Sequence, residues 1–167
     1  MSGAMNTLAK GLKWQDSSKF KISMTGPGAG IIGVPDADTL TMCCQNVQLA
    51  EITTKPIEAY IAEEWRFASS HLENYTIGIT FKDYNNFTLY KGFANALQEF
   101  VRTYPADQAV NIKIETADAF NITSFLGVVE FKDCILTSVG AATLDNSAVA
   151  SVSEFTVQFK ASYVITG

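Results

Sequence analysis

The sequence is short of the residues that most chemistry needs. Among 167 residues there is one histidine, His71, with three cysteines and four prolines. A lone histidine, with no Cys-x-x-Cys or His-x-x-x-His spacing, excludes an ordinary zinc site and leaves no local motif for nucleophilic or general base catalysis. Three cysteines, Cys43, Cys44 and Cys134, do not make a disulfide framework and suit a reducing compartment. Basic residues number 12 against 17 acidic ones, giving a net charge of −5, and an isoelectric point near 4.8. That excludes a phosphate grip built from clustered Lys and Arg. No run approaches the ~20 apolar residues of a membrane-spanning helix. The first residues also lack the apolar run of a signal peptide, so the expectation is a soluble chain made in a cytoplasm. Without a secretion route the triplets Asn74-Tyr-Thr76, Asn86-Phe-Thr88 and Asn121-Ile-Thr123 carry no meaning as glycosylation sites.

Charge is scarce as well: 17% of residues, against about 25% in an average soluble domain. The surface must then be largely neutral Thr, Ser, Asn, Gln and Ala, which suits close contact with other protein. What is plentiful is apolar content, at 47%. A chain of this size buries a core without staples and reads as one domain, 1–167, with no linker and no tandem repeat.

Most of the chain alternates apolar and polar residues, the period of a strand with one buried face. Phe20, Ile22 and Met24 share a face. So do Leu40, Met42 and Cys44; Tyr75, Ile77, Ile79 and Phe81; and Val110, Ile112 and Ile114. The last strand is the clearest, with Phe155, Val157, Phe159, Ala161 and Tyr163 inward. Val129 and Phe131 begin another strand; Asp133 falls on their face and Ile135 resumes it, which predicts a bulge or an edge.

One segment breaks the pattern. Leu89, Tyr90, Phe93, Leu97, Phe100, Val101 and Tyr104 form an apolar stripe that predicts a helix over 86–104, capped by Asn86 or Thr88 and stopped by Pro105. Residues 1–18 are expected to be an N-terminal arm or short helix, which Gly11 weakens. The run Ile57 to Phe67 reads as one long strand with Glu58, Tyr60, Ala62, Glu64 and Arg66 on one face. Mixing apolar and acidic positions, it would leave a sticky edge on a monomer. Residues 47–72 are therefore expected to be an arm that contacts a neighbouring subunit, with Tyr60 and Trp65 among its contact residues.

Gly28-Ala-Gly30-Ile-Ile-Gly33 matches the dinucleotide fingerprint literally. The glycines would have to open a helix that holds a pyrophosphate, and Val34-Pro35-Asp36 follows instead, so a glycine loop between strands is expected and no cofactor. Its Ile31 and Ile32 look exposed and fit a contact made on assembly. His71, in a polar run, is expected in a turn. Cys44 is expected to be a small core residue. Cys43 and Cys134 fall on the outer faces of their strands: either two partly exposed thiols, or one or both in an intersubunit disulfide.

The stretch Val128-Val-Glu-Phe131-Lys-Asp-Cys-Ile135-Leu136-Thr-Ser-Val139-Gly140, then Leu144-Asp145, then Phe155-Thr-Val157-Gln-Phe159-Lys-Ala-Ser-Tyr163, resembles the closing segment of the tail tube proteins of contractile-tailed bacteriophages. Tyr75 to Asp83, a strand that ends in an acidic residue before a helix, is similar to the centre of that family. The resemblance implies a mainly β fold, a β-sandwich or partial barrel with one flanking α-helix. Six copies would form a ring with a continuous lumenal β-barrel, and stacked rings would form a tube inside a sheath. It implies a structural role in DNA ejection rather than an enzyme, no cofactor and no metal. The partners would be other copies, sheath, tape-measure and baseplate proteins, and DNA in passage; the place would be the virion tail, assembled in a bacterial cytoplasm. An acidic lumen repels phosphate. Glu58 and Glu64 are the candidate lining, against an ordinary solvated strand face. The alternatives are the inner tube of a tailocin or type VI secretion system, and a monomeric β-barrel with an aromatic-lined ligand pocket.

Overall fold

The computed structural model describes residues 15–49, 54–61, 64–72, 75–84, 87–102, 104–118, 125–142 and 153–166. Most of the expected N-terminal arm, and the Leu144-Asp145 pair, lie outside the described residues. In chain order the elements are β1 (Gln15–Thr25), α1 (Pro27–Ile32), α2 (Ala37–Cys43), β2 (Cys44–Gln48), β3 (Thr54–Ile61), β4 (Glu64–Leu72), β5 (Tyr75–Lys82), α3 (Thr88–Phe100), α4 (Pro105–Gln108), β6 (Val110–Asp118), β7 (Phe125–Val139), β8 (Glu154–Ala161) and β9 (Tyr163–Thr166). A 7-stranded sheet runs β1-β6-β7-β8-β5-β2, with β9 added along β7. Its pairings are antiparallel. The sheet does not close on itself; β3 and β4 form a separate hairpin.

The mainly β expectation holds, and the clearest strands behave as their alternation requires. In β5 and β8, Phe81 stands opposite Phe155, Ile79 opposite Val157 and Ile77 opposite Phe159. All six are buried, and together with Ile22, Ile112 and Val110 they form one core. Each such side chain removed from water stabilises the fold by about 1.5–3 kcal/mol before entropy is counted.

The bulge in β7 sits at Asp133, which takes a left-handed φ of 50°. It shifts the inward set by one residue: Phe131 is buried before it, Cys134 and Leu136 after it. Ile135 therefore does not resume the face; it is only half-buried. Asn111 Oδ1 accepts from the Asp133 N–H at 3.2 Å. Opposite the bulge the last strand also breaks, at Ser162, whose N–H donates to the Lys132 carbonyl at 3.2 Å. The expected single strand through Tyr163 is thus two, β8 and β9.

Among the described residues three helices stand beside the one expected over 86–104. The glycine segment is not a loop but α1: Pro27 opens it, and Gly33, at φ 73°, closes it with its N–H directed at the Ala29 and Gly30 carbonyls. Residues 37–43, read as strand, form α2 because Asp36 caps them. Its carboxylate accepts from the Thr39 N–H at 3.1 Å and from the Thr39 hydroxyl at 2.7 Å. Only Leu40 of the expected inward set is buried; Cys44 is intermediate and Met42 points to solvent. Thr41 turns α2 into a cover for the outer side of β1, since its hydroxyl accepts from the Ile22 N–H at 3.1 Å and donates to the Ala37 carbonyl at 2.7 Å.

Helix α3 buries Leu89, Phe93, Ala96 and Phe100. Its start is held by Asp83, and Asn86 lies outside the described residues. The Asp83 carboxylate accepts from the N–H groups of Tyr84 at 2.8 Å, Leu89 at 3.1 Å and Tyr90 at 3.1 Å, while Phe87 at the cap position makes no side-chain bond. At the far end buried Gln108 donates from Nε2 to the Phe100 carbonyl at 2.6 Å. The helix stops there, short of the expected 104. Tyr104 precedes Pro105 and is extended, at ψ 144°, so Val101 and Tyr104 leave the stripe for solvent. Helix α1 crosses α3 at Gly92, where a Cβ would lie 2.5 Å from the Ile32 carbonyl oxygen.

Two substitutions test this account by urea unfolding. Asp83→Ala is expected to cost about 1–3 kcal/mol, because it strips the acceptor from three N–H groups, and Asp83→Asn less. Gly92→Ala would gain about 1 kcal/mol of helix propensity in isolation. It is expected to destabilise instead, since backbone 2.5 Å from the new Cβ must move.

Candidate functional site

Among the described residues no three His, Cys, Asp or Glu side chains gather as a metal site. No described helix is long and apolar enough to cross a membrane. His71 is not in a turn; it lies in β4, opposite Lys55 of β3. In α1 the Gly28 N–H is already held by the Ala109 carbonyl at 3.0 Å. A Cβ at Gly28 would fall 2.1 Å from the Gln108 carbonyl oxygen. Gly28 thus serves a close backbone crossing, and Gly33 the left-handed cap of α1.

The thiols are not poised for chemistry. Burial pushes Cys44 and Cys134 from an ordinary 9.0 up to about 12. Burial and, second, the Asp83 carboxylate also raise Cys43. Cys134, expected outside, is fully buried because the Asp133 bulge turned it inward. Cys43 is partly exposed.

What the surface offers is shape for contact. The hairpin β3–β4 pairs with itself and not with the main sheet. In its register Tyr60 faces Trp65, Glu58 faces Phe67 and Glu64 faces Ile61. The expected single strand from Ile57 to Phe67 is therefore two strands, and the reversal changes the parity. Positions 58 and 60 share one face of the hairpin with 65 and 67, while 64 belongs to the other. Glu58 and Glu64 do not share a face. Ile32 is buried in the core and Ile31 half-buried against it, so the pair does not form an exposed patch.

The middle of the outer face of β2, β5 and β8 is neutral, with Lys82 paired to Glu154 at one end and Lys160 at the other. Gln48, Gly78 and Gln158 lie in one cross-strand row, and Asn46, Thr80 and Thr156 in the next; the Thr80 and Thr156 hydroxyls are 2.9 Å apart. Charges elsewhere pair locally: Lys21 with Asp38 and Lys113 with Glu115, each at 2.9 Å, and Lys132 with Glu130. The large apolar side chains most open to water are Met42, 85% exposed, Val101, 86%, and Tyr104, 81%. Sequence reasoning missed all three, having placed Met42 on a buried strand face and the others in the helix stripe. The one available signal was Pro105, which forces the residue before it out of helix.

No protein-family model matches the sequence, and neither does any curated protein. Solved structures do. A chain of the PVC sheath–tube complex in its extended state, from an extracellular contractile injection system, superposes with a TM-score of 0.62 at 15% identity, over 91% of this chain and 90% of that one. A chain of the anti-feeding prophage cap, which terminates its tube, gives 0.63 at 12% identity, over 93% and 92%. A chain of the PVC sheath/tube terminator gives 0.62 at 14%, over 91% and 95%. This is the fold of a contractile injection system component. The likeness to the contractile-system fold runs nearly end to end in both chains, so the topology described here is that of whole components, not of a shared fragment.

Alkylation checks the thiol assignments. Iodoacetamide near pH 8 is expected to modify Cys43 first and slowly, and Cys134 only after denaturation, as read by mass spectrometry of intact protein and of peptides. Because the folded pKa values are raised, the stability that Cys44 and Cys134 contribute is fully present below pH 9.0 and is lost as pH climbs toward about 12.

Proposed function

We propose that this chain is a tube-type structural subunit of a contractile injection machine, and not an enzyme. Copies close into hexameric rings with a continuous lumenal barrel, and the rings stack into a hollow tube inside a sheath. The observation that carries this reading is the likeness, over 91% of this chain, to a component of a sheath–tube complex. Two features of the chain support it. A hairpin unattached to the main sheet is free to pair with a neighbour, which removes edges that a monomer would leave open. A largely neutral surface loses little on burial between copies.

The tube is a conduit that must not grip its cargo. In the phage-tail version the cargo is DNA, ejected through a lumen that repels phosphate, and the net charge of −5 agrees with that. Glu58 and Glu64 are on different faces of the hairpin, so one of them, not both, serves as lumenal lining. Tyr60, Trp65 and half-buried Ile31 remain proposed intersubunit contacts. Sheath, tape-measure and baseplate proteins are the proposed partners, and the assembled particle is the proposed location. A second reading, a tube terminator, is favoured by the equal likeness to the cap and terminator chains, at TM-scores of 0.63 and 0.62.

Electron microscopy of the purified protein over a range of concentrations separates these. A tube subunit gives rings that stack into tubes. A terminator gives rings that do not elongate. Compact monomers at every concentration would refute both.

A further inference from the structure

Resting on the tube-subunit reading, we infer that copies join around the ring by strand pairing, β2 of one copy against the Val139 end of β7 in the next. The row of strands β7, β8, β5 and β2 is open on both sides. Strand β2 is the last of the sheet and pairs with β5 alone. Strand β7 has β6 on one side only as far as Cys134, which stands opposite Val110. Past that point β8 pairs its other side, and among the described residues no strand takes the first. Each of the four strands is antiparallel to its neighbour, so the two outer ones run in opposite senses. A copy rotated about a ring axis therefore brings its β7 antiparallel to this copy's β2.

The hydrogen-bond phase of the ladders agrees with this join. The Asp83 N–H donates to the Ser153 carbonyl at 2.9 Å, and the Gly140 N–H to the Thr156 carbonyl at 2.7 Å. Bonded and unbonded pairs alternate along an antiparallel ladder. Counting by twos from Asp83 and Ser153 makes Ile79 and Val157 a bonded pair. Ile79 thus directs its backbone groups at β8, so Val47, its opposite number in β2, turns its own N–H and C=O away from β5. One step from Gly140 and Thr156, the pair Val139 and Val157 is unbonded, and Val139 likewise turns its N–H and C=O outward. The Thr80 and Thr156 hydroxyls, 2.9 Å apart, fit the same phase, because unbonded pairs bring side chains closer. Val139, Val157, Ile79 and Val47 therefore form one apolar row across four strands, with open backbone groups at both ends. Val47 and Val139 each pack partly against the core, on the same face. Setting Val139 of the next copy beside Val47 satisfies these groups and continues the row. The two-residue stagger that closure into a barrel allows keeps apolar beside apolar. The two ends match each other in direction, phase and face, so the occupant is a second copy of this chain. A contact between unlike ends is heterologous and closes into a ring when the rotation permits.

Proline is tolerated on an edge strand where the N–H it lacks would face outward. Val47→Pro and Val139→Pro thus block the join without removing a bond of the sheet. At concentrations where the unsubstituted chain forms rings, each variant alone is expected to sediment as a monomer with an unchanged far-ultraviolet circular dichroism spectrum. Mixing them restores one junction, β2 of the Val139→Pro chain against β7 of the Val47→Pro chain, so a 1:1 dimer is expected and rings are not. Rings from either variant, as abundant as those of the unsubstituted chain, overturn the pairing and leave the tube reading standing. Dimers of Val139→Pro alone mean that β2 meets β2, and overturn it too. An unsubstituted chain that never forms rings removes the tube reading and, with it, this inference. Benzoylphenylalanine at Gln48, exposed beside Val47, decides the matter even where a proline variant unfolds. Photolysis of rings is expected to give covalent dimers joined between residue 48 and residues 135–142, and dimers joined only elsewhere overturn the pairing.

Discussion

Phe93 of α3 is fully buried against the ring of Phe81 at 5.5 Å, with Phe155 at 6.1 Å and Phe159 at 6.3 Å. Helix α3 packs on these rings, and without it they would meet water. Everything that fixes α3 is therefore also a condition of the core. Asp83 fixes one end of it, Gln108 the other, and Gly92 lets α1 come close enough to close its flank. The same three anchors leave Val101 and Tyr104 stranded outside, because the helix is stopped by its fastening and not by exhaustion of apolar residues.

Edges are the second constraint. An open sheet of this kind exposes unpaired N–H and C=O groups at its ends. On the β1 side α2 lies along the strand, and the Thr41 hydroxyl takes the outward N–H of Ile22. Between β2 and β5 the chain leaves the sheet altogether as the β3–β4 hairpin. One edge is thus shielded within the chain, while β2 stays unpaired on the side away from β5. The two sides of the sheet therefore differ in how much backbone they leave open.

Much of this was legible from residues alone. Val157, Phe159, Ile77 and Ile79 alternate cleanly, and they are buried where alternation puts them. Asp133 announced a bulge, since a carboxylate on an apolar face has to leave it. The errors share a cause: a short apolar pattern fits more than one period. Leu40, Met42 and Cys44 alternate like a strand, yet Asp36 and Thr39 cap a helix, and a cap outweighs three residues of pattern. Gly28 to Gly33 contained both a helix and the glycines that hide one. Cys134 was placed outside because a bulge moves every later side chain to the opposite face, and its position cannot be fixed to one residue by pattern.

The sequence by itself determined the class: a mainly β domain with an amphipathic helix, low in charge, without a metal cluster or nucleophile motif, and similar in its strand order to tube proteins. Burial of apolar periodicity dictates that much wherever the chain folds. Only the tertiary structure decided which apolar residues remain outside, and that positions 58 and 64 fall on different faces of a hairpin register. Those facts depend on where the chain reverses and on which distant groups satisfy its helix ends, Asp83 six residues before Leu89 and Gln108 eight residues beyond Phe100. Such partners are set by packing in three dimensions, and no local pattern carries them.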